Sequence, residues 1–338
     1  MRPTDTHETS GALRHVVVSD EIYGLPFSKG LMASSIMATG LAPARAFHVA
    51  EIIENRLHEN DMATVTHAEL TCLALAVLRD EVGETYADSY AKWQTVKRVE
   101  SPLIILLGGA PGVGKSTIAT MLANRLGITR VIPTDAIREV MRAMFSTELL
   151  PTLQCSSFET STAVHRPLPP DTDAVIAGFR EQVAAVSVGV EALIARAVDE
   201  GTNLILEGAH VVPGFADLGL FAGRAVVVPM VIAVDDTEAH RSHFVLRGND
   251  LAARPPDRYL SHFEDIRRIQ GYLRAMADSH GVPVVPSYSL DATLSHVIDV
   301  VVTEAIGAVR EPVGATGVDQ TSHPSAASPA HAERRGTP

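Results

Sequence analysis

The sequence predicts an α/β fold, a parallel sheet with helices on both faces, preceded by a smaller and mainly helical domain. Three observations predict it. Five short apolar runs alternate with longer helical patterns from Leu103 onward. A glycine-rich G-x-x-x-x-G-K-[ST] string lies between the first of those runs and the helical pattern after it. The 338 residues suffice for two domains, which usually run to about 100 to 200 residues each.

Taken in order, residues 1–14 are polar, lack the apolar centre of a secretory signal, and are expected to form a disordered leader. Val16-Val17-Val18 reads as a short strand turning toward Tyr23-Gly24. Apolar residues then recur at spacings of three and four, as at Ile52, Ile53 and Leu57, which predicts helices. Tyr86, Tyr90 and Trp93 end the segment at helical spacing; core packing is the expected use, with stacking on an adenine as the alternative. The polar run Lys97-Arg98-Val99-Glu100-Ser101-Pro102 reads as a linker, which puts a first domain at 15–96 and a second at 97–310. Residues 311–338 are rich in Ala, Ser, Thr, Pro and Gly without a hydrophobic period and are expected to be disordered.

The strands of the second domain are expected at Leu103–Leu107, Arg130–Pro133, Asn203–Leu206, Val226–Val234 and Val282–Val285. Continuous apolar runs bounded by turn residues suit strands covered on both faces, and sheets of that kind hold ligands at the carboxyl ends of their strands. Functional residues are therefore sought just after each run.

Composition narrows the function. A net charge of −12 opposes broad binding to nucleic acid or to an anionic membrane surface. The longest apolar run, Ala225–Val234, is too short to span a bilayer. The two cysteines, Cys72 and Cys155, stand in no ligand spacing, which argues for free thiols in a reducing compartment. The expectation is a cytoplasmic protein with neither nucleic-acid nor membrane partner.

The first run leads into Gly109-Ala110-Pro111-Gly112-Val113-Gly114-Lys115-Ser116, followed by Thr117. Glycines let the backbone curl until its N–H groups and the positive end of the next helix face phosphate oxygens. Lys115 then neutralises β- and γ-phosphate charge, and Ser116 offers a hydroxyl to Mg2+. The second run leads into Thr134-Asp135-Ala136-Ile137-Arg138, with Arg142 one turn further on. Asp135 is placed to orient or deprotonate an acceptor hydroxyl, or to cap the helix, and Arg138 and Arg142 share a helix face suited to an anionic acceptor. The third run ends in Glu207-Gly208-Ala209-His210. Glu207 stands where such proteins hold a Mg2+-bound water. A glycine directly after it suits a kinase that needs room for an acceptor. His210 is read either as a substrate contact or as a hydrogen-bonded structural residue.

Arginine occurs seven times, and lysine not at all, in the stretch from Thr237 to Arg274. Its Gly- and Pro-punctuated part, bearing Arg247, Arg254 and Arg258, is expected to form a lid that closes on phosphates and excludes water. Arg267, Arg268 and Arg274 fit surface salt bridges equally well. His240 and His243, three apart, suggest a metal pair, but no third ligand is evident and solvent exposure is expected.

Together these residues resemble the 2-phosphoglycerate kinase family. The likeness runs from about Val16 to Ile306 and is carried by Leu25-Pro26-Phe27-Ser28-Lys29-Gly30, the glycine-rich loop, the Thr134–Arg142 stretch, Leu149-Leu150-Pro151-Thr152, Glu207-Gly208-Ala209-His210, and Arg258-Tyr259-Leu260 with His262-Phe263. The resemblance implies a P-loop NTPase domain of the nucleoside-monophosphate-kinase type and transfer of phosphate from ATP to 2-phosphoglycerate. It also implies that the 15–96 domain is ATP-cone-like, a helical module that binds adenine nucleotides as effectors in other enzymes, with Pro26–Gly30 at its phosphate-proximal turn. The Phe158–Asp173 stretch reads as a loop near the acceptor. Two rival readings keep the nucleotide site: a kinase of another phosphorylated polyol or of a nucleotide, and a non-catalytic ATP sensor.

Overall fold

A computed structural model of the chain describes residues 16–19, 24–60, 62–97, 101–164, 167–248 and 256–310. The expected leader and tail fall outside these residues.

The N-terminal part builds β1 (Val17–Ser19), β2 (Gly24–Pro26), α1 (Lys29–Met37), α2 (Pro43–Glu59), β3 (Thr64–Thr66), α3 (His67–Glu81) and α4 (Glu84–Lys97). The three short strands pair in the order β2-β1-β3, with β1 antiparallel to β2 and parallel to β3. The third strand gave no sequence signal because only Val65 of Thr64-Val65-Thr66 is buried. Thr66 then starts α3 through a capping box with Glu69, each side chain meeting the other residue's backbone N–H. Ile36, Ile53, Leu57, Val77 and Leu78 make this part's core, and Tyr90 and Trp93 are buried in packing, as their spacing predicts. Trp93 and Val96, however, pack into the core of the following sheet together with Ala38. Helix α4 thus serves both cores.

The larger part continues with β4 (Leu103–Gly108), α5 (Lys115–Leu126), β5 (Val131–Pro133), α6 (Thr134–Met144), α7 (Ala174–Asp199), β6 (Leu204–Gly208), β7 (Val226–Ala233), α8 (Thr237–Gly248), α9 (Pro256–Ser261), α10 (Phe263–Ser279), β8 (Val284–Pro286) and α11 (Leu290–Arg310). Its five strands are parallel in the order β5-β6-β4-β7-β8. All five follow from the predicted apolar runs, within a residue or two at their ends. The central strand β4 is buried at all six positions, as a strand covered on both faces must be. One face packs against α5, α10 and α11 through Ile105, Leu107, Leu122, Leu273 and Val301. The other packs against α6 and α7 through Ile104, Leu206, Ile137, Val190 and Ile194. Because the strands run the same way, Gly108, Pro133, Gly208 and Ala233 end on one edge of the sheet, and the glycine-rich loop, Asp135, Glu207 and His210 lie along or just beyond that edge.

Among the described residues no helix is long and apolar enough to cross a membrane.

Candidate active site

The turn from β4 into α5 forms the nucleotide loop. Gly112 and Gly114 adopt φ of 86° and 89°, a left-handed conformation that residues with a Cβ rarely take. Gly114 stands at the N-cap of α5 without a side-chain cap, so the first N–H groups of the helix are left for an anion. Lys115 is buried, and its ammonium donates to the Ala110 carbonyl at 2.8 Å, which curls the side chain back over the loop. The Ser116 hydroxyl donates to Glu207 Oε1 at 2.8 Å, and Glu207 is itself buried at the end of β6. A hydroxyl and a carboxylate in contact beside the phosphate loop form a hard oxygen pair whose chemistry fits Mg2+.

Two residues expected in solvent brace this loop. His240 is fully buried and pairs through Nε2 with the Pro111 carbonyl at 2.8 Å; His243 pairs through Nδ1 with the Gly112 carbonyl at 2.9 Å. Both ring atoms must donate, since a carbonyl only accepts. Burial holds His240 near a pKa of about 4, so its ring is neutral in ordinary buffers. Phe244, one turn along α8, packs so close to Gly112 that a Cβ there would lie 2.3 Å from its ring. The i, i+3 spacing of the histidines reads as a surface pair. Nothing in it announces that α8 leans on the nucleotide loop. Beyond Thr117 and Ile118, a cleft of ≈ 240 Å³ continues to Ser287, Tyr288 and Leu290, and the Tyr288 hydroxyl donates to Asp235 at 2.9 Å.

On the opposite side, Asp135 lies in the first turn of α6. It is not the helix cap, one of its two expected roles: the N-cap is Pro133, without a side-chain hydrogen bond. The Asp135 carboxylate is well exposed, 3.8 Å from Arg138 Nε and 4.0 Å from His210 Nδ1. Arg138 is mostly buried and donates through Nη1 to the Leu153 and Cys155 carbonyls at 3.1 and 2.9 Å. Its buried Nε makes no hydrogen bond. Arg142 remains half exposed and shares the Glu139 carboxylate with Arg138.

Four further expectations need revision. The room beside Gly208, assigned to an acceptor, is filled by Thr134: a Cβ on residue 208 would lie 1.8 Å from the Thr134 hydroxyl oxygen. His210 is 2% exposed and hydrogen-bonds Thr134 and Gln182, so of its two readings the structural one holds. Arg258 is engaged by Glu159 and by Ser156 Oγ at 3.0 Å; that hydrogen-bonded pair holds the Glu159 carboxyl below, and the guanidinium above, its ordinary pKa. The loop around Phe158 is accordingly packed, with Phe158 buried against Tyr259 and His262. Arg267 is not a surface salt bridge, since it donates to the Val234 carbonyl at 2.7 Å and the Asp235 carbonyl at 3.1 Å. Arg274 pairs with Asp235, and Arg268 lies 3.7 Å from Asp265. Of the lid residues, Arg254 lies outside the described residues, and Arg247 falls in the last turn of α8 with its side chain outside them.

Comparison with known proteins bears on the same residues. The family model described as Zeta toxin matches residues 87–153, which span the nucleotide loop and the β5–α6 junction. The 2-phosphoglycerate kinase of Methanothermobacter thermautotrophicus is 42% identical over 282 residues, 83% of this chain and 92% of that protein. Those of Methanopyrus kandleri and Pyrococcus horikoshii are 38% and 39% identical, covering 89% and 86% of this chain and 91% and 94% of theirs. Likeness to solved structures is low: a gluconokinase from Sinorhizobium meliloti is 14% identical over 61% of this chain and 93% of that chain, with a TM-score of 0.31.

Proposed function

The chain belongs to the 2-phosphoglycerate kinase family, and from that premise we propose that it transfers the γ-phosphoryl group of ATP to the free hydroxyl of 2-phosphoglycerate, forming 2,3-bisphosphoglycerate. The observation that carries the reading is the facing of two unlike walls at one sheet edge: a phosphate loop with a buried lysine, and an exposed carboxylate beside a mostly buried arginine whose Nε makes no hydrogen bond. The first wall suits a triphosphate and the second an acceptor that is itself an anion.

In this reading Gly109–Thr117 cradle the phosphates, and the purine and ribose extend toward Tyr288. Lys115 leaves the Ala110 carbonyl for the β- and γ-phosphate oxygens and balances charge as the phosphoryl group moves. Ser116 and Glu207 would hold Mg2+, which would supply neutralisation of phosphate charge. Asp135 accepts a hydrogen bond from the acceptor hydroxyl and takes its proton as the new P–O bond forms. Arg138 Nε and Arg142 receive the phosphate or carboxylate already on the acceptor, with Arg258 at the margin. Arg247 and Arg254 belong to the segment that closes over the phosphates. Residues 15–96 form an ATP-cone-like domain, with Pro26–Gly30 at the turn nearest an effector phosphate.

Release of ADP by the full chain with Mg-ATP tests the proposal, comparing 2-phosphoglycerate, 3-phosphoglycerate, glycerate, inositol phosphates and nucleoside monophosphates. Stimulation by 2-phosphoglycerate alone is expected. Stimulation by another acceptor would keep the kinase and change its substrate; tight ATP binding with no stimulation would favour a sensor.

A further inference from the structure

Three buried side chains on the acceptor wall form a line that phosphoryl transfer itself does not use. Thr134 at the start of α6 and Gln182 in the middle of α7 are fully buried, and His210, just beyond β6, lies between them. Thr134 Oγ1 is 3.0 Å from His210 Nδ1, and His210 Nε2 is 3.0 Å from Gln182 Oε1.

The proton on each bond follows from the far end of the line. Gln182 Nε2 faces two carbonyls, those of Thr152 and Cys155. Carbonyls only accept, so that atom is the amide NH2 and Oε1 is turned to the ring. Oε1 in turn needs a donor, which places the imidazole proton on Nε2. Burial keeps the ring neutral, with a pKa lowered to about 4; Asp135 opposes that shift, while Arg138 and Lys115 add to it. Nδ1 is therefore bare and accepts the Thr134 hydroxyl proton. All four hydrogen bonds point the same way, from Thr134 to the Thr152 and Cys155 carbonyls.

The line ends at both supports of the acceptor wall. Thr134 is the residue before Asp135, in the first turn of α6. The Cys155 carbonyl that receives Gln182 also receives Arg138 Nη1. Gln182 lies on a helix that carries none of the proposed substrate residues, yet it meets both arms of the wall.

We propose that Gln182 is a positioning residue for the phosphoryl acceptor: through His210 and Thr134 it fixes the turn that bears Asp135, and through the Thr152 and Cys155 carbonyls it fixes the brace of Arg138. This rests on the acceptor roles given to Asp135 and Arg138 above. Losing the line lets those groups shift relative to the acceptor while the nucleotide loop, the turn from β4 into α5, takes part in none of its hydrogen bonds. Displacements of about 1 Å at a reacting centre lower rates by about 100-fold, so the effect is measurable without loss of the fold.

The test is steady-state kinetics of the full chain with Mg-ATP and 2-phosphoglycerate, together with a separate titration of ATP binding. Gln182→Met keeps the length of the side chain and removes both polar ends. It is expected to raise the acceptor KM and lower kcat, together about 10- to 100-fold in kcat/KM, with the ATP dissociation constant changed less than about twofold. Thr134→Val, close in shape but without the hydroxyl, should repeat the pattern, and Thr134→Ser should restore wild-type values. The double variant Gln182→Met, Thr134→Val should be little worse than the worse single one, because both cut the same line. Should Gln182→Met fail to fold, the Thr134→Val and Thr134→Ser pair decides. Equal shifts in the ATP and acceptor constants, full additivity, or a Thr134→Ser as impaired as Thr134→Val would overturn the inference while leaving the kinase reading intact. A wild-type protein that binds ATP but does not turn over 2-phosphoglycerate would overturn the functional reading and this inference with it.

Discussion

The nucleotide wall of the cleft comes from one continuous stretch, Gly109–Ser116, whereas the acceptor wall is assembled from β5, α6, the Pro151–Cys155 segment, α7 and the end of β6. The first presents backbone, its shape set by glycines and a helix N-terminus. The second presents side chains, with Arg138, Gln182 and His210 held by hydrogen bonds to residues 15 or more positions away in sequence. The difference teaches where each wall can fail. A backbone cradle tolerates little beyond glycine at its tight turns, while a side-chain wall depends on every link of its hydrogen-bond network.

Substitutions can break one wall at a time. The largest effect is expected from Lys115→Ala, which should lower kcat/KM by about 100- to 1000-fold by removing charge stabilisation in the transition state. Steady-state kinetics measure it. Asp135→Asn should lower kcat by about 100-fold with the ATP KM nearly unchanged; a kcat within threefold of wild type would remove Asp135 from catalysis. Alanine at the two glycines should separate the walls. Gly208→Ala drives a Cβ into Thr134, and Gly112→Ala drives one into Phe244. Each is expected to cost about 1 to 3 kcal/mol as overpacking, visible as a lower melting temperature. The first should chiefly raise the acceptor KM and the second chiefly the ATP KM. His240→Phe should weaken ATP binding about fivefold, the scale of one hydrogen bond lost behind the loop, and leave the acceptor KM alone.

The smallest effect is on acid stability, and both walls share it. His210 and His240 are held to about 4 in the folded chain against an ordinary 6.5. Between those values the unfolded chain binds more protons than the folded one, so stability should fall as pH drops from about 6.5 to about 4 and level off below. Urea midpoints across that range should decline less steeply in the His240→Phe variant than in the wild type.

The same contrast decides what was legible in the sequence. The strands of the larger sheet were readable because two-sided burial leaves uninterrupted apolar runs, and the nucleotide loop because its parts are adjacent in the chain. Glu207 was readable from its place at the end of such a run. The partners of His210 were not. Gln182 sits in a long helix with no motif around it, and only folding brings it within reach of residues 28 and 30 positions away. Thr134 was given no role in the sequence reading, although its hydroxyl explains why residue 208 is glycine. His240 and His243 were misread for a related reason: helical spacing shows which residues share a face, but not what that face meets. Strand β3 went unseen because a three-residue strand with one buried side chain has no period to detect.

The measurement that tests the central claim most directly is phosphorus NMR of the product formed by the full chain from Mg-ATP and 2-phosphoglycerate, with Lys115→Ala as the control. The expected product is 2,3-bisphosphoglycerate, with a new resonance for the phosphate on O3 rising as the ATP γ resonance falls, and neither change in the control. Loss of the γ resonance to inorganic phosphate alone, or an unchanged spectrum under saturating ATP, would contradict it.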